Sequence, residues 1–336
     1  MNKRNSGIDF FKYIAALFVI AIHSSLFSDT NNTLYIVVVN IIARTAVPFF
    51  AVCSGYYMAA KVGLKSKWEK EDSARLLKQW RKLIIVYAVW TVLYLFYSIP
   101  TWIETGWFSA WAFVDFGIAS VLSGSHYHLW YFLAIIYEFP LFYIFLRYVK
   151  PKYWIPVSVL LYCCKVLTYG YCFMLPGGIQ RIANALDRFV GPRDGALLIF
   201  PLMLLGAYIN HRGNRLSRKT NLVMLLCTVA LLAAEVFHLY RNGQQAVSFV
   251  FLTYPVAYFL FALVLDAKPH IHEKTTQRLG AASSVIYGFH PMALEIIHRT
   301  EIHSVLLFLS VAIVSTVVAL IYLIIKKKSG ELLCSH

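Results

Sequence analysis

Apolar residues fall along this chain in blocks of helix length, separated by short polar or basic stretches. A helix needs about 20 such residues to cross roughly 30 Å of hydrocarbon. Blocks of this kind occupy 9–28, 34–60, 79–99, 127–148, 153–171, 196–210, 220–240, 246–266, 280–298 and 303–325. They predict an all-α polytopic membrane protein, a bundle of about ten transmembrane helices. Block 196–210 is short, and block 280–298 is interrupted at His290-Pro291. A further helix over 108–123, flanked by Trp107 and carrying Trp111 and Phe113, reads as interfacial.

Lysine and arginine gather on the cytoplasmic side of membrane helices. With the N-terminus placed inside, Lys3, Arg4, the cluster Lys61 to Lys82, Arg147 to Lys152, Arg212 to Lys219, Lys268 to Arg278 and Lys326 to Lys328 all fall on inner segments. The outer loops hold Arg181, Arg188, Arg193, Arg241 and Arg299, while Lys12, Arg44 and Lys165 lie inside spans. Both termini are therefore expected in the cytoplasm, with the chain threading the plasma membrane. Composition agrees, since 59% hydrophobic and 14% charged residues with a mean hydropathy of +0.63 cannot wrap into a water-soluble domain. The formal net charge of +15 then follows from topology. Inner basic loops facing anionic lipid account for it without a nucleic-acid partner, although the cluster Lys61 to Lys82 could also attract a nucleotide-containing cofactor.

The six cysteines make neither a CxxC pair nor a zinc spacing, so no metal is expected. The first block lacks a small-residue cleavage site and is too long for a signal-peptide core, which makes it a permanent helix. No linker, repeat or charge block divides the chain. Residues 1–330 are expected to form one transmembrane domain, with 331–336 as a short cytoplasmic tail.

Ionisable groups are rare in membrane spans unless they pair or act. At 100° per residue, Asp9, Lys12 and His23 share one face of the first span, with His23 about 16 Å beyond Lys12 along the axis. Lys12 can snorkel to the inner headgroups and pair with Asp9. In the second span, NIIARTAVPFFAVCSGYYM, the residues Arg44, Pro48, Ala51 and Gly55 fall on one narrow face: a permanent cation followed by small residues and a helix breaker. An anion or developing oxyanion would be stabilised at Arg44, and a structural arginine bonded to backbone carbonyls is the competing reading.

Two more histidines enter, His128 at the start of HLWYFLAIIYEFP and His290 in SSVIYGFHPMAL, where Ser283, Tyr287 and His290 share a helix side. Pro291 frees a backbone carbonyl one turn earlier, which must be repaired by neighbours or line a cavity. Glu138 and Glu235 are carboxyls inside spans, either protonated or ion-paired for packing or available to a ligand.

The first-span histidine, RTAVPFFAVCSGYYM, HLWYFLAIIY, PRDGALLIFPLMLLGAYI and SSVIYGFHPMAL follow in the order seen in the acyltransferase 3 family of integral membrane acyltransferases, which the chain resembles over nearly its whole length. Within it the chain is similar to the transmembrane half of membrane-bound serine racemases from vancomycin-resistance clusters. There a cytoplasmic pyridoxal-phosphate domain follows, whereas this sequence ends soon after Lys326-Lys327-Lys328, so racemase activity is not expected.

The resemblance implies transfer of an acyl group, commonly acetyl from acetyl-CoA on the inner side, to a hydroxyl of a cell-surface glycan or lipid-linked acceptor. His23 matches the family's first-span histidine, and Lys12 stands where the family has an arginine eleven residues earlier, keeping the charge but not the bidentate fork. His23 is then the expected general base and Arg44 the oxyanion or acceptor clamp. His128 and His290 join them as catalytic candidates, and Lys12, Glu138, Arg193 and Glu235 as substrate-binding candidates. Two alternatives stand beside this reading. In the racemase branch the membrane half is thought to supply L-serine, and a small zwitterion would suit Arg44 and Glu235 or Glu138, which makes a transporter. The chain could also be a noncatalytic membrane partner of a separately encoded cytoplasmic enzyme.

Overall fold

The computed structural model describes residues 4–62, 69–182, 195–213, 216–244, 249–298 and 302–333, with side chains to Lys327. Every regular element among the described residues is helical. In chain order the principal helices are α1 (Ser6–His23), α2 (Asn32–Val62), α3 (Lys70–Glu104), α4 (Ala110–Leu122), α5 (Trp130–Tyr148), α6 (Trp154–Tyr169), α7 (Phe200–Arg212), α8 (Arg218–Arg241), α9 (Thr253–Leu265), α10 (Glu273–His298) and α11 (Ser304–Leu333). Six of them, α1, α2, α3, α5, α8 and α11 as far as Lys327, are long and apolar enough to cross a membrane, so the chain is a multi-pass membrane protein. The helix expected over 108–123 forms as α4, capped by the Ser109 hydroxyl accepting from the Ala112 N–H.

Two of the prolines mark where these helices depart from regular α geometry. Proline lacks the N–H that would bond to the carbonyl four residues back. In α2 the path is α-helical over Asn32–Tyr35, π-helical over Ile36–Ile42, 3₁₀ over Ala43–Thr45 and α-helical again over Ala46–Val62. The irregular turns lie just before Pro48, and there the Thr45 hydroxyl donates to the Ile42 carbonyl at 2.7 Å. A second π turn, Gly195–Ile199, leads into α7 just before Pro201. Pro140 sits inside α5 without breaking it, because the indole N–H of Trp80 in α3 donates to the Ile136 carbonyl that Pro140 leaves open (2.9 Å), its ring stacked on Phe139 at 5.6 Å.

Two compact units make up the chain, residues 1–50 with 216–336, and residues 51–215. In the first, α1 lies along α10 and against α9, α10 packs on α11, and α8 on α9. Small residues set the spacing. A Cβ on Gly7 would stand 2.2 Å from the Val264 carbonyl oxygen, and one on Gly280 would stand 2.6 Å from Asp9 Oδ1, so backbones meet where lipid offers no hydrophobic drive for helix association. Ala16, Ile20, Ala282, Ile286, Ala293, Leu307, Val311 and Ala319 form the shared core of α1, α10 and α11. In the second unit α7 crosses the C-terminal part of α2 just as closely: a Cβ on Gly206 would come within 2.0 Å of the Val52 carbonyl oxygen. There α5, α6 and α7 gather around the π turn Gly195–Ile199.

Candidate functional site

His23 is the last residue of α1, and its imidazole faces that of His290 from α10, with centroids 5.3 Å apart and planes 28° from parallel. The two residues lie 267 positions apart in the sequence, yet the long α1–α10 contact makes them neighbours. His290 is fully buried. Its Nδ1 lies 2.8 Å from the Tyr287 carbonyl oxygen and 3.2 Å from that of Ile286. A carbonyl only accepts, so Nδ1 carries the proton and Nε2 is the basic nitrogen. The Tyr287 carbonyl is the one Pro291 leaves without its helical partner, so the proline fixes the tautomer of the histidine beside it. The Tyr287 ring packs 6.0 Å from His290 and 6.5 Å from Phe50.

Arg44 occupies the 3₁₀ turn of α2. Its Nε donates to the Asn40 side-chain oxygen at 2.8 Å, which sets the plane of the guanidinium. Tyr240 of α8 lies close to both Asn40 and Arg44. The turn is tied to the end of α1 through Ala21, Leu26, Val39 and Ala43, which pack together, so the backbone segments carrying His23 and Arg44 are neighbours. Lys12 sits lower on α1 and pairs with Asp9 at 3.8 Å, while Arg4 takes the other oxygen of that buried carboxylate at 2.9 Å. Glu235 of α8 accepts from the backbone N–H groups of Phe251 and Leu252, both at 2.9 Å, and so caps the start of α9.

The remaining candidates belong to the second unit. His128 is 1% exposed. Its Nδ1 lies 3.3 Å from Nδ1 of His126, and both rings pack on Tyr94, at 5.2 Å and 4.3 Å. Glu138 is 8% exposed and its Oε1 abuts Gly195, where a Cβ would approach to 2.6 Å. Arg193 lies outside the described residues. The first unit thus collects Lys12, His23, Arg44, Glu235 and His290, and brings two of them, His23 and His290, into ring contact.

Asn40, Tyr240 and His126 stand beside these candidates although the sequence did not single them out. His126 was visible in the His-x-His spacing of SHYHL, and Asn40 as the polar residue one turn before Arg44. Tyr240 gave no local signal, because its partners come from a distant segment. Among the described residues no group of three or more metal-ligating side chains occurs.

Residues 5–324 match the acyltransferase domain model of the acyltransferase 3 family. Two amino-acid racemases of Enterococcus faecalis are 26% and 27% identical to the chain, over 98% and 79% of its length. A serine/alanine racemase of Enterococcus gallinarum is 27% identical over 86%. The aligned regions make up 47%, 36% and 40% of those relatives, so the chain spans less than half the length of the curated relatives it matches. No solved structure matches it.

Proposed function

The chain belongs to the acyltransferase 3 family, and from that premise we propose that it is an O-acyltransferase of the plasma membrane. It threads the bilayer about ten times with both termini cytoplasmic, a reading that the distribution of its basic residues supports. It carries an acyl group, acetyl in the simplest case, from cytoplasmic acyl-CoA to a hydroxyl of a cell-surface glycan or lipid-linked acceptor. The observation that supports this reading most is the His23–His290 ring pair inside the helix bundle.

The chemistry follows from these groups. His23 takes the proton of the acceptor hydroxyl as its oxygen attacks the thioester carbonyl. Arg44, its guanidinium plane set by Asn40, holds the oxyanion that develops. The carbonyl re-forms, the carbon–sulfur bond breaks, and the CoA thiolate leaves and recovers the proton, so hydroxyl and thioester become ester and thiol. His290 backs His23 and presents Nε2 as a second proton-accepting nitrogen. His128 is a further catalytic candidate, and Lys12, Glu138, Arg193 and Glu235 are assigned to substrate binding, Lys12 toward the donor's phosphates.

Purified protein in nanodiscs, given radiolabelled acetyl-CoA and a cell-envelope extract, should label an acceptor. His23→Ala and Arg44→Ala should each abolish that label while remaining folded. The racemase names of the relatives favour a second reading, passage of an L-serine-like amino acid across the membrane. Saturable L-serine uptake into liposomes, with no acyl transfer to any envelope fraction, would replace the first reading with the second.

A further inference from the structure

The turn that follows His23 has an unfavourable shape and is tied by Asp29 to the start of α11. Ser25 has φ 49° and Phe27 φ 72°, a left-handed conformation that is uncommon for side-chain-bearing residues and a clear outlier for one as bulky as phenylalanine. Such geometry persists only where surrounding contacts over-determine it. Here those contacts converge on Asp29 and the start of α11. Asp29 Oδ2 accepts from the Ser304 backbone N–H at 2.9 Å and lies 3.2 Å from His303 Nδ1, while Oδ1 accepts from the Ser304 hydroxyl. The Ser304 hydroxyl oxygen accepts in turn from the Phe27 N–H at 3.0 Å. Asp29 thus caps a helix 275 residues away, with its negative charge at the positive end of the α11 dipole. Leu26 and Phe27 pack with Val305 and Phe308 beneath it.

The same turn closes the end of α1. The Ser24 N–H bonds to the Ile20 carbonyl at 2.8 Å, Leu26 to Ala21 at 3.1 Å and Ser25 to Ile22 at 3.3 Å. These are the orphan carbonyls of the last helical turn, the turn that carries His23. We propose that Asp29 is a positioning residue for His23: by clamping the first turn of α11 it holds the strained turn that terminates α1, and so keeps the imidazole stacked on His290. Without the clamp the turn relaxes, the last carbonyls of α1 lose their donors, and His23 leaves its partner. The role in catalysis rests on His23 being the base; the role in geometry does not.

The test uses the full chain in nanodiscs, with Asp29→Ala, the milder Ser304→Ala and the restoring Asp29→Glu. Hydrogen exchange of the 20–28 amides and carbethoxylation of His23 by diethyl pyrocarbonate report on the geometry. Both should rise about five- to tenfold in Asp29→Ala, the size expected of a lost helix cap. They should rise less in Ser304→Ala and return toward wild type in Asp29→Glu, while the α10 amides 282–293 keep their protection. Acyl transfer should lose kcat with the donor KM unchanged. The assignment is overturned if Asp29→Ala leaves exchange and carbethoxylation unchanged, or loosens 282–293 as much as 20–28. Faster exchange and carbethoxylation in a protein whose wild type transfers no acyl group would keep the clamp and discard His23 as the base.

Discussion

His290 shows how one residue serves structure and chemistry together. Its Nδ1 repairs the carbonyl that Pro291 leaves open and thereby reserves Nε2 as the basic nitrogen, beside His23. His23→Gln, which removes the base at similar volume, should lower acyl transfer by about 10²- to 10⁴-fold, the usual contribution of a general base, with donor binding retained in a direct binding measurement. Trp80 makes the same kind of repair at Pro140. Trp80→Phe should cost about 1 kcal/mol of unfolding free energy, one hydrogen bond's worth, and much less in a Pro140→Ala background, where the Ile136 carbonyl regains its helical donor. A double-mutant cycle by denaturant or thermal melting checks this coupling. The sequence announced that Pro291 needed a repair; it gave no indication that the histidine before it would supply one, because that depends on the χ angles a packed helix enforces.

Among the elements, α2 and the turn after α1 carry the most information. The apolar block over 34–60 was legible as a span, and Pro48 as its breaker. The π and 3₁₀ turns that aim Arg44 were not, since they arise from how the freed backbone groups find donors within the packed bundle. The turn after α1 adds a pH dependence. The hydroxyl and backbone N–H of Ser304 hold the Asp29 carboxyl down at about 2, against 3.8 for the free group, with His303 adding a smaller pull. A carboxyl whose pKa is lowered by folding stabilises the fold above its unfolded pKa and loses that effect as pH falls through the folded value. The melting temperature of wild type should therefore exceed that of Asp29→Ala by a constant margin above about pH 5, and the margin should shrink as pH falls from there toward 2. Close helix crossings give a prediction of their own. Gly206→Ala would drive a Cβ into the Val52 carbonyl, and it should destabilise the second unit by roughly 1–3 kcal/mol, the range for overpacking, read as earlier loss of protection in α7 on thermal hydrogen exchange.

Taken whole, the molecule divides into two compact units that hydropathy does not mark. The first is discontinuous, closing residues 1–50 onto 216–336. That closure brings His23 to His290 and Asp29 to Ser304, pairs no local pattern links. The proposed topology is testable at this scale: epitope tags at either terminus should be accessible to antibody only after the cells are permeabilised. Four of the ten expected blocks, 153–171, 196–210, 246–266 and 280–298, form helices that are shorter or more polar than a lone span requires. For block 196–210 burial explains the pattern: α7 is buried along most of its length, so it needs neither the length nor the uniform apolar surface of a helix that faces lipid.

What the sequence determined by itself was the class: apolar blocks of helix length, basic residues sorted between them and motif strings in a family order specify a multi-pass all-helical acyltransferase-family chain, because transfer from water to hydrocarbon acts on each segment locally. Which polar residues meet was decided only by the tertiary structure. His23 meets His290, Asp29 meets Ser304 and Trp80 meets the Ile136 carbonyl, because in a lipid-like interior every freed donor and acceptor must find a partner, and the packing of distant helices chooses which one.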